Sequence, residues 1–179
     1  MEEITLHDRS FRPYLTPGAI RTRVLELAHH VSQDYSKASC LAVPILQGSF
    51  LFAADLLREL TFFPEIHFIK VSSYGDGLKS SGALQWQLDL PESLVGRDLI
   101  LIEDIVDSGF TIESIRKACH DRGAVSVKVV TLLYKPDAFQ GSEAPEYVGF
   151  SIPNDFVVGY GLDYAQLGRN LKGIYQVVE

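Results

Sequence analysis

The chain has 179 residues, of which 46% are hydrophobic and 22% are charged, and its formal net charge is −7. This length predicts a single domain over residues 1–179, and the composition is typical of a globular protein with a sizeable core. The acidic balance argues against a nucleic-acid partner, because phosphate contacts need a surface rich in Lys and Arg.

Cysteine usage and the distribution of apolar residues indicate the compartment. Cys40 and Cys119 are too few for a disulfide scaffold and lack the paired spacing of a zinc cluster, so we expect a reducing, cytoplasmic location. The acidic start at residues 1–4 lacks the order of a signal peptide. The longest apolar run, residues 50–57, is interrupted by Asp55 and is far shorter than the ~20 residues of a membrane span, so we expect no membrane partner.

The first half of the chain alternates predicted helices and strands. Thr16 predicts a helix cap and Pro17 the first helical position. The short apolar run at residues 41–46 ends at Gly48 and predicts a buried strand, which a helix at residues 49–60 follows.

The middle of the chain contains two further predicted strands. Residues 66–71 form one, and residues 84–90 alternate apolar and polar side chains, as a half-exposed strand does. Between them, residues 74–83 are polar and contain three glycines, which predicts a mobile loop.

The second half continues the alternation. Residues 99–102 are the most apolar strand, a helix runs from the following turn to about Arg122, and Gly123 is a plausible helix stop. Residues 125–133 predict another strand. This order predicts an α/β fold with an open, mostly parallel twisted sheet flanked by helices. Short β-prone pieces predict edge strands or a small cap over the ligand face at residues 147–150, 156–158 and 174–178.

The segment after the strand at residues 99–102 carries the candidate chemistry. Ligands of open α/β sheets bind beyond the carboxyl ends of the strands. Acids there suit sugar hydroxyls or a divalent metal, and the free N–H groups of a helix start suit a phosphate. The segment therefore predicts a site for a phosphorylated sugar, although an acidic turn with Ser108 as a simple helix cap is the alternative. The residues are Glu103, Asp104, Asp107, Ser108, Gly109, Phe110 and Thr111.

The string at residues 101–111, LIEDIVDSGFT, resembles the 5-phosphoribosyl pyrophosphate (PRPP) motif of type I phosphoribosyltransferases. That motif is an apolar strand, two acids, two apolar residues, an acid, Ser or Thr, Gly, any residue and Thr. The string is not a Walker loop or a dinucleotide fingerprint, which need a Gly-Lys-Ser/Thr or a GxGxxG sequence. The resemblance implies the type I phosphoribosyltransferase core and PRPP as a substrate.

Four further segments resemble hypoxanthine-guanine phosphoribosyltransferases, in order along most of the chain. The resemblance implies a pyrophosphate-binding loop with Gln47 and Gly48, a catalytic lid with Ser73 and Tyr74, and a purine-recognition lysine at Lys135. Residues 156–164 and Arg169 resemble the base-binding segment of that family. The implied reaction joins a 6-oxopurine to PRPP and releases pyrophosphate and a nucleoside monophosphate.

The same resemblance implies a role for each candidate residue. Asp107 is the implied general base, since a carboxylate near the purine N7 proton makes N9 a better nucleophile. Residues 103–104 are expected to bind the ribose hydroxyls, directly or through Mg²⁺. In the base-binding segment, Phe156 is implied to stack on the purine and Val157 to contact it through its backbone. Asp163 is implied to reach Mg²⁺ through water, and Arg169 to contact the pyrophosphate.

Two departures from the family pattern stand out. Gln47 occupies a position where the family usually has Lys or Arg, which removes a cation near the pyrophosphate. Asp155 stands where some relatives have Lys.

The sequence is also compatible with two alternatives. One is a regulator on the same fold that senses PRPP or nucleotides, which the charge of −7 and the presence of Asp107 and Lys135 disfavour. Another is a xanthine-preferring enzyme; adenine is disfavoured because an ammonium cannot pair with an amino donor. We expect small-molecule substrates only, and a homodimer or homotetramer.

Overall fold

The computed structural model describes residues 1–35, 40–73 and 84–178. The predicted loop at residues 74–83, with Tyr74 of the implied lid, lies outside the described residues. Three helices occur in the described chain. They are α1 (Pro17–Tyr35), α2 (Phe50–Glu59) and α3 (Phe110–Asp121).

Eleven strands form two sheets in this part of the chain. The larger sheet has the order β6-β5-β3-β7-β8-β9, with β4 paired to β3, and only the β5–β6 pair is antiparallel. Its strands are β3 (Cys40–Leu46), β4 (Glu65–Ile66), β5 (Ile69–Ser73), β6 (Leu84–Leu88), β7 (Asp98–Val106), β8 (Ser126–Tyr134) and β9 (Tyr147–Ser151).

The helices cover both faces of this sheet. Ile100 and Ile102 of β7 pack with the apolar sides of α1 and α2, whereas Leu99 and Leu101 pack with α3. The alternation follows from the two-residue period of a strand, and burial of both faces explains why β7 is almost continuously apolar. The predicted open, mostly parallel sheet flanked by helices is confirmed.

A second, antiparallel sheet forms the small cap. Its strands run in the order β1-β2-β11-β10 and join the amino end of the chain to the carboxyl end. Phe11, Val158 and Tyr175 form its own apolar cluster. The amino-terminal hairpin has no counterpart in the sequence prediction, which found only the carboxyl-terminal pieces. The strands are β1 (Ile4–Leu6), β2 (Arg9–Leu15), β10 (Val157–Val158) and β11 (Ile174–Val177).

Most predicted element boundaries agree with the structure. Thr16 accepts a hydrogen bond from the Ala19 N–H at 3.2 Å, and Pro17 is the first helical residue, as the sequence indicates. Gly123 ends α3 with φ +93°. The strand predicted at residues 66–71 is instead split into β4 and β5, and none of the described helices is long and apolar enough to cross a membrane.

A buried arginine fastens the loop between β8 and β9. Arg116 of α3 is 6% exposed, and its guanidinium lies 2.8 Å from Glu143 and 2.7 Å from Glu146. Glu146 also accepts a hydrogen bond from the Val129 N–H at 2.7 Å. The three side chains therefore join helix, loop and sheet on the side of β7 that α3 covers.

Replacing this arginine tests how far the loop depends on it. We expect Arg116→Met to lower the free energy of unfolding by about 1–3 kcal/mol, because a half-buried carboxylate loses its partner. The measurement is urea unfolding at neutral pH. Lys117→Met is the matched control: its ion pair with Asp121 is exposed, so a change within about 0.5 kcal/mol is expected. Equal losses in the two variants would contradict the role of Arg116.

Candidate active site

A cleft of about 280 Å³ opens where β3 and β7 end side by side. The two strands are parallel neighbours, so the turns that follow them meet at one edge of the sheet. The cleft is lined by Ile45, Leu46, Gln47, Gly48, Val71, Thr111, Ile112 and residues 103–109. The structure thus brings the implied pyrophosphate loop and the PRPP-like motif together.

Two adjacent carboxyl groups form the buried wall of the cleft. Glu103 and Asp104 are each 8% exposed, and the Asp104 N–H donates to Glu103 Oε1 at 3.2 Å. Burial, followed by the neighbouring Asp104, raises the pKa of Glu103 well above its ordinary value. Both residues lie within β7, which extends to Val106, beyond the end predicted from the sequence. Such a pair favours a cation or hydroxyl donors as its ligand.

Asp107 and Lys135 form an ion pair at the cleft. Asp107 follows β7 directly and Lys135 follows the neighbouring strand β8, so both side chains start from the same edge of the sheet. Lys135 Nζ lies 2.8 Å from Asp107 Oδ2, and the side chains are 10% and 54% exposed. The ammonium is therefore largely buried, while the carboxylate faces the opening.

The turn before α3 has the form of a phosphate cradle. Gly109 adopts φ +85° and directly precedes Phe110, the first residue of α3, so the free N–H groups of the helix start surround the turn. Ser108 and Thr111 place hydroxyl groups in the same segment. A Cβ on Gly109 would lie 2.3 Å from the Phe139 ring. Glycine is therefore required by the packing of the turn itself, a reason that the sequence did not reveal.

The Gln47-Gly48 turn is enclosed on two sides by close contacts. A Cβ on Gly48 would lie 1.7 Å from the Asp104 carboxylate, and a Cβ on Gly161 would lie 1.9 Å from the Gly48 carbonyl oxygen. The peptide bond between Leu46 and Gln47 is cis. The close approaches of Asp104 and Gly161 place the turn between the acids of β7 and the cap.

The remaining candidates lie in the carboxyl-terminal segment. Asp163 and Arg169 form an ion pair at 2.6 Å, and Arg169 also donates to the Gly161 carbonyl at 2.7 Å. Arg169 thus fixes the segment that contacts Gly48. Asp163 additionally accepts a hydrogen bond from the Gln166 N–H at 2.7 Å, so its carboxylate has two partners in the protein.

Phe156 lies on the cap with 41% of its surface exposed. Its ring packs against Phe11 and Tyr164, with centroids 6.3 Å and 5.8 Å away. Val157, its neighbour, is 6% exposed and begins β10. These two residues are not among those that line the cleft between β3 and β7.

The structure leaves the implied lid untested and adds three residues to the site. Ser73 is the last residue of β5, and Tyr74 lies outside the described residues. Gly161 and Tyr160 belong to the segment that resembles the family's base-binding region but had no assigned role, and Phe139 lies in no motif. For Gly161, the left-handed conformation at φ +106° is a signal that only the structure provides.

Comparison with solved structures gives matches over nearly the whole chain. A hypoxanthine phosphoribosyltransferase from Staphylococcus aureus superposes with a TM-score of 0.88 at 38% identity, covering 93% of this chain and 91% of that one. A hypoxanthine-guanine phosphoribosyltransferase from Bacillus anthracis gives 0.87 at 36% identity, covering 93% and 98%.

Sequence comparison gives the same result. The hypoxanthine-guanine phosphoribosyltransferase of Bacillus subtilis is 42% identical over 87% of this chain and 86% of its own length. The hypoxanthine phosphoribosyltransferase of Escherichia coli K12 is 40% identical over 89% and 90%. The pattern of the phosphoribosyl transferase domain matches residues 14–165, which include both turns of the cleft. The chain therefore belongs to the phosphoribosyl transferase domain family.

Proposed function

We propose that this protein transfers the 5-phosphoribosyl group of PRPP to hypoxanthine and guanine, giving IMP or GMP and pyrophosphate, as a cytoplasmic enzyme of purine salvage. The observation that carries the proposal is the Lys135–Asp107 pair at 2.8 Å, next to a helix-start phosphate turn and a buried carboxyl pair. An ammonium and a carboxylate together match the oxygen and the N–H of a 6-oxopurine. The names of the similar proteins support the same reaction.

The phosphate-binding turns hold the two ends of PRPP in this proposal. The N–H groups and hydroxyls of residues 108–111 bind the 5-phosphate, because a helix start favours an anion. The Gln47-Gly48 turn binds the pyrophosphate through its N–H groups and the Gln47 amide. Arg169 contributes positive charge on the cap side. Holding both ends fixes C1 of the ribose for attack, and the site must exclude water because the transition state is oxocarbenium-like.

Asp107 acts as the general base in the proposed reaction. Its carboxylate faces the opening and accepts the purine N7 proton while N9 attacks the ribose. Lys135 donates to the exocyclic oxygen and stabilises the negative charge that deprotonation leaves on the purine. Phe156 stacks on the purine face, and Val157 offers backbone groups at its edge.

The carboxyl pair at residues 103–104 fits a magnesium ion. Mg²⁺ binds through one or two carboxylates and completes its shell with water and substrate oxygens. Two adjacent buried acids match this chemistry, and within the described ranges no group of three or more His, Cys, Asp or Glu side chains forms a complete metal cage. When bound, the ion supplies positive charge for the pyrophosphate. Glu103 and Asp104 would hold it or the ribose hydroxyls, with Asp163 reaching it through water.

We also propose that the protein forms a homodimer or homotetramer. Phe63, Ile66 and Phe68 are 102%, 51% and 43% exposed, and they cluster in sequence around β4. Large apolar side chains that are exposed in a single chain are candidates for a surface that another copy covers.

A substrate panel tests the proposed function. Purified protein receives PRPP and Mg²⁺ with hypoxanthine, guanine, xanthine or adenine, and nucleotide formation is measured. We expect turnover with hypoxanthine and guanine and none with adenine, whose amino group cannot accept a hydrogen bond from Lys135. A preference for xanthine would correct the purine assignment. Nucleotide binding without any turnover would instead indicate the PRPP-sensing regulator and overturn the proposal.

The role of Asp107 is tested by removing its proton acceptor while keeping its shape. We expect Asp107→Asn to lower kcat by about 10²–10⁴, the usual range for a general base, with a modest change in PRPP affinity. Single-turnover kinetics isolate the chemical step. Asp137→Asn, an exposed carboxylate two residues after Lys135, is the matched control and should keep the parent rate. A chemical step that is equally fast in both variants would place the base elsewhere.

The phosphate turn is tested with two glycines that share a left-handed conformation. Gly109→Ala should lower both stability and PRPP affinity, because the new Cβ meets the Phe139 ring 2.3 Å away and displaces the turn. Gly96→Ala, at φ +74° with nothing within 4 Å of its Cβ, should cost only the conformational penalty of about 1 kcal/mol. Thermal unfolding and PRPP calorimetry measure the two effects. Unchanged PRPP affinity in folded Gly109→Ala would exclude the turn from the site.

A further inference from the structure

Residues 159–161, which we name the cap turn, connect the cap to the pyrophosphate loop. All three have positive φ: +102° at Gly159, +49° at Tyr160 and +106° at Gly161. A Cβ on Gly159 would lie 2.1 Å from the Gly173 carbonyl oxygen, and one on Gly161 would lie 1.9 Å from that of Gly48. The cap turn is therefore wedged between the start of β11 and the pyrophosphate loop, without room for a side chain at either glycine.

The side chain of Tyr160 extends from the cap turn to α2. It is 7% exposed, and its hydroxyl donates to Asp55 Oδ2 at 2.6 Å. The left-handed conformation is unfavourable for any residue with a Cβ, so the contacts of the side chain and the backbone must hold Tyr160 there. The Tyr160 N–H donates to the Leu171 carbonyl at 2.9 Å, which supplies part of this support.

The helix that carries Asp55 begins directly after the pyrophosphate loop. Ser49 precedes α2, its hydroxyl donates to the Ile45 carbonyl at 2.6 Å, and the Phe50 N–H donates to the Gln47 carbonyl at 3.3 Å. Loop and helix start are thus one hydrogen-bonded unit. A bond from Asp55 to the cap turn consequently fixes the distance between this unit and Gly161.

We propose that Tyr160 and Asp55 are positioning residues for pyrophosphate binding, because their hydrogen bond holds the cap turn against Gly48. The inference rests on the proposed function and extends it to residues that do not touch the substrate. Gln47 carries no charge, so the loop depends on the direction of its N–H groups to bind an anion. A second, rigid support for the loop would hold these N–H groups in the direction that anion binding needs. The same support also helps to orient Arg169, since its guanidinium donates to the Gly161 carbonyl at 2.7 Å.

The consequence is an effect on PRPP binding rather than on the chemical step. Loosening the cap turn disturbs the groups around the pyrophosphate but leaves Asp107 and Lys135, which follow β7 and β8, in place. The KM for PRPP should therefore rise while kcat at saturation stays near the parent value.

Three variants test the proposal by initial-rate kinetics. Tyr160→Phe removes only the hydroxyl, and we expect the KM for PRPP to rise about tenfold, because the cap turn loses its hydrogen bond to the Asp55 carboxylate. Asp55→Asn keeps an acceptor for the hydroxyl and should change that KM by less than about threefold. Tyr147→Phe is the matched control, because its hydroxyl donates to Asp34 at 2.5 Å and joins the start of β9 to α1, far from the carboxyl ends of the strands.

The possible outcomes separate this inference from the proposed function. Thermal unfolding of all three variants shows whether each is folded, and calorimetry with Mg²⁺–pyrophosphate repeats the comparison without turnover. Equal loss of stability in Tyr160→Phe and Tyr147→Phe, with the KM for PRPP raised only in the former, supports positioning. An unchanged KM for PRPP in Tyr160→Phe, or an equal fall in kcat for both tyrosine variants, overturns it while leaving the proposed function intact. An inactive parent protein overturns both.

Discussion

The burial of two adjacent carboxyl groups at the end of β7 is the constraint around which the site is arranged. Charged groups are costly to bury, and here the cost appears as the raised pKa of Glu103. The turns after the two neighbouring strands provide space for one of these carboxylates and a positive charge beside Asp107. β3 ends in a turn whose Gly48 leaves room for the Asp104 carboxylate, and β8 ends at Lys135, whose ammonium balances Asp107. Each element depends on the parallel order β3-β7-β8, which brings the three strand ends to one edge.

Close backbone contacts join the cap to this edge. The cap is a separate antiparallel sheet with its own small apolar cluster, so its position over the cleft must be fixed by contacts outside that cluster. Gly161 lies against Gly48, and Arg169 and Tyr160 attach the same turn on either side. Glycine is needed where two backbones approach this closely, because a Cβ would occupy the space of the opposing carbonyl oxygen. The position of the cap against the Gln47-Gly48 turn thus depends on few side chains.

Local patterns predicted the elements of this protein better than its long-range partnerships. The strand, acidic turn and helix around Asp107 follow from apolar runs, a glycine and a helix start, all within about a dozen residues. The hairpin at residues 4–15 was missed because its pairing with β11 joins the two ends of the chain, and Pro13 weakens the strand pattern of β2. Contacts such as Phe139 on Gly109 or Tyr160 on Asp55 likewise have no signal in the sequence, since neither partner is near the other in the chain.

The Lys135–Asp107 pair joins the two groups that the proposed reaction uses on the purine. Before a purine arrives, the largely buried ammonium and the carboxylate neutralise each other at 2.8 Å. A purine oxygen that accepts a hydrogen bond from Lys135 competes with Asp107 for the same ammonium. The Asp107 carboxylate, which faces the opening, is then released to accept the hydrogen bond of the purine N–H. In the proposed reaction, recognition of the 6-oxo group and release of Asp107 toward the purine N–H are therefore one event, and adenine, which has no exocyclic oxygen, leaves the ion pair intact.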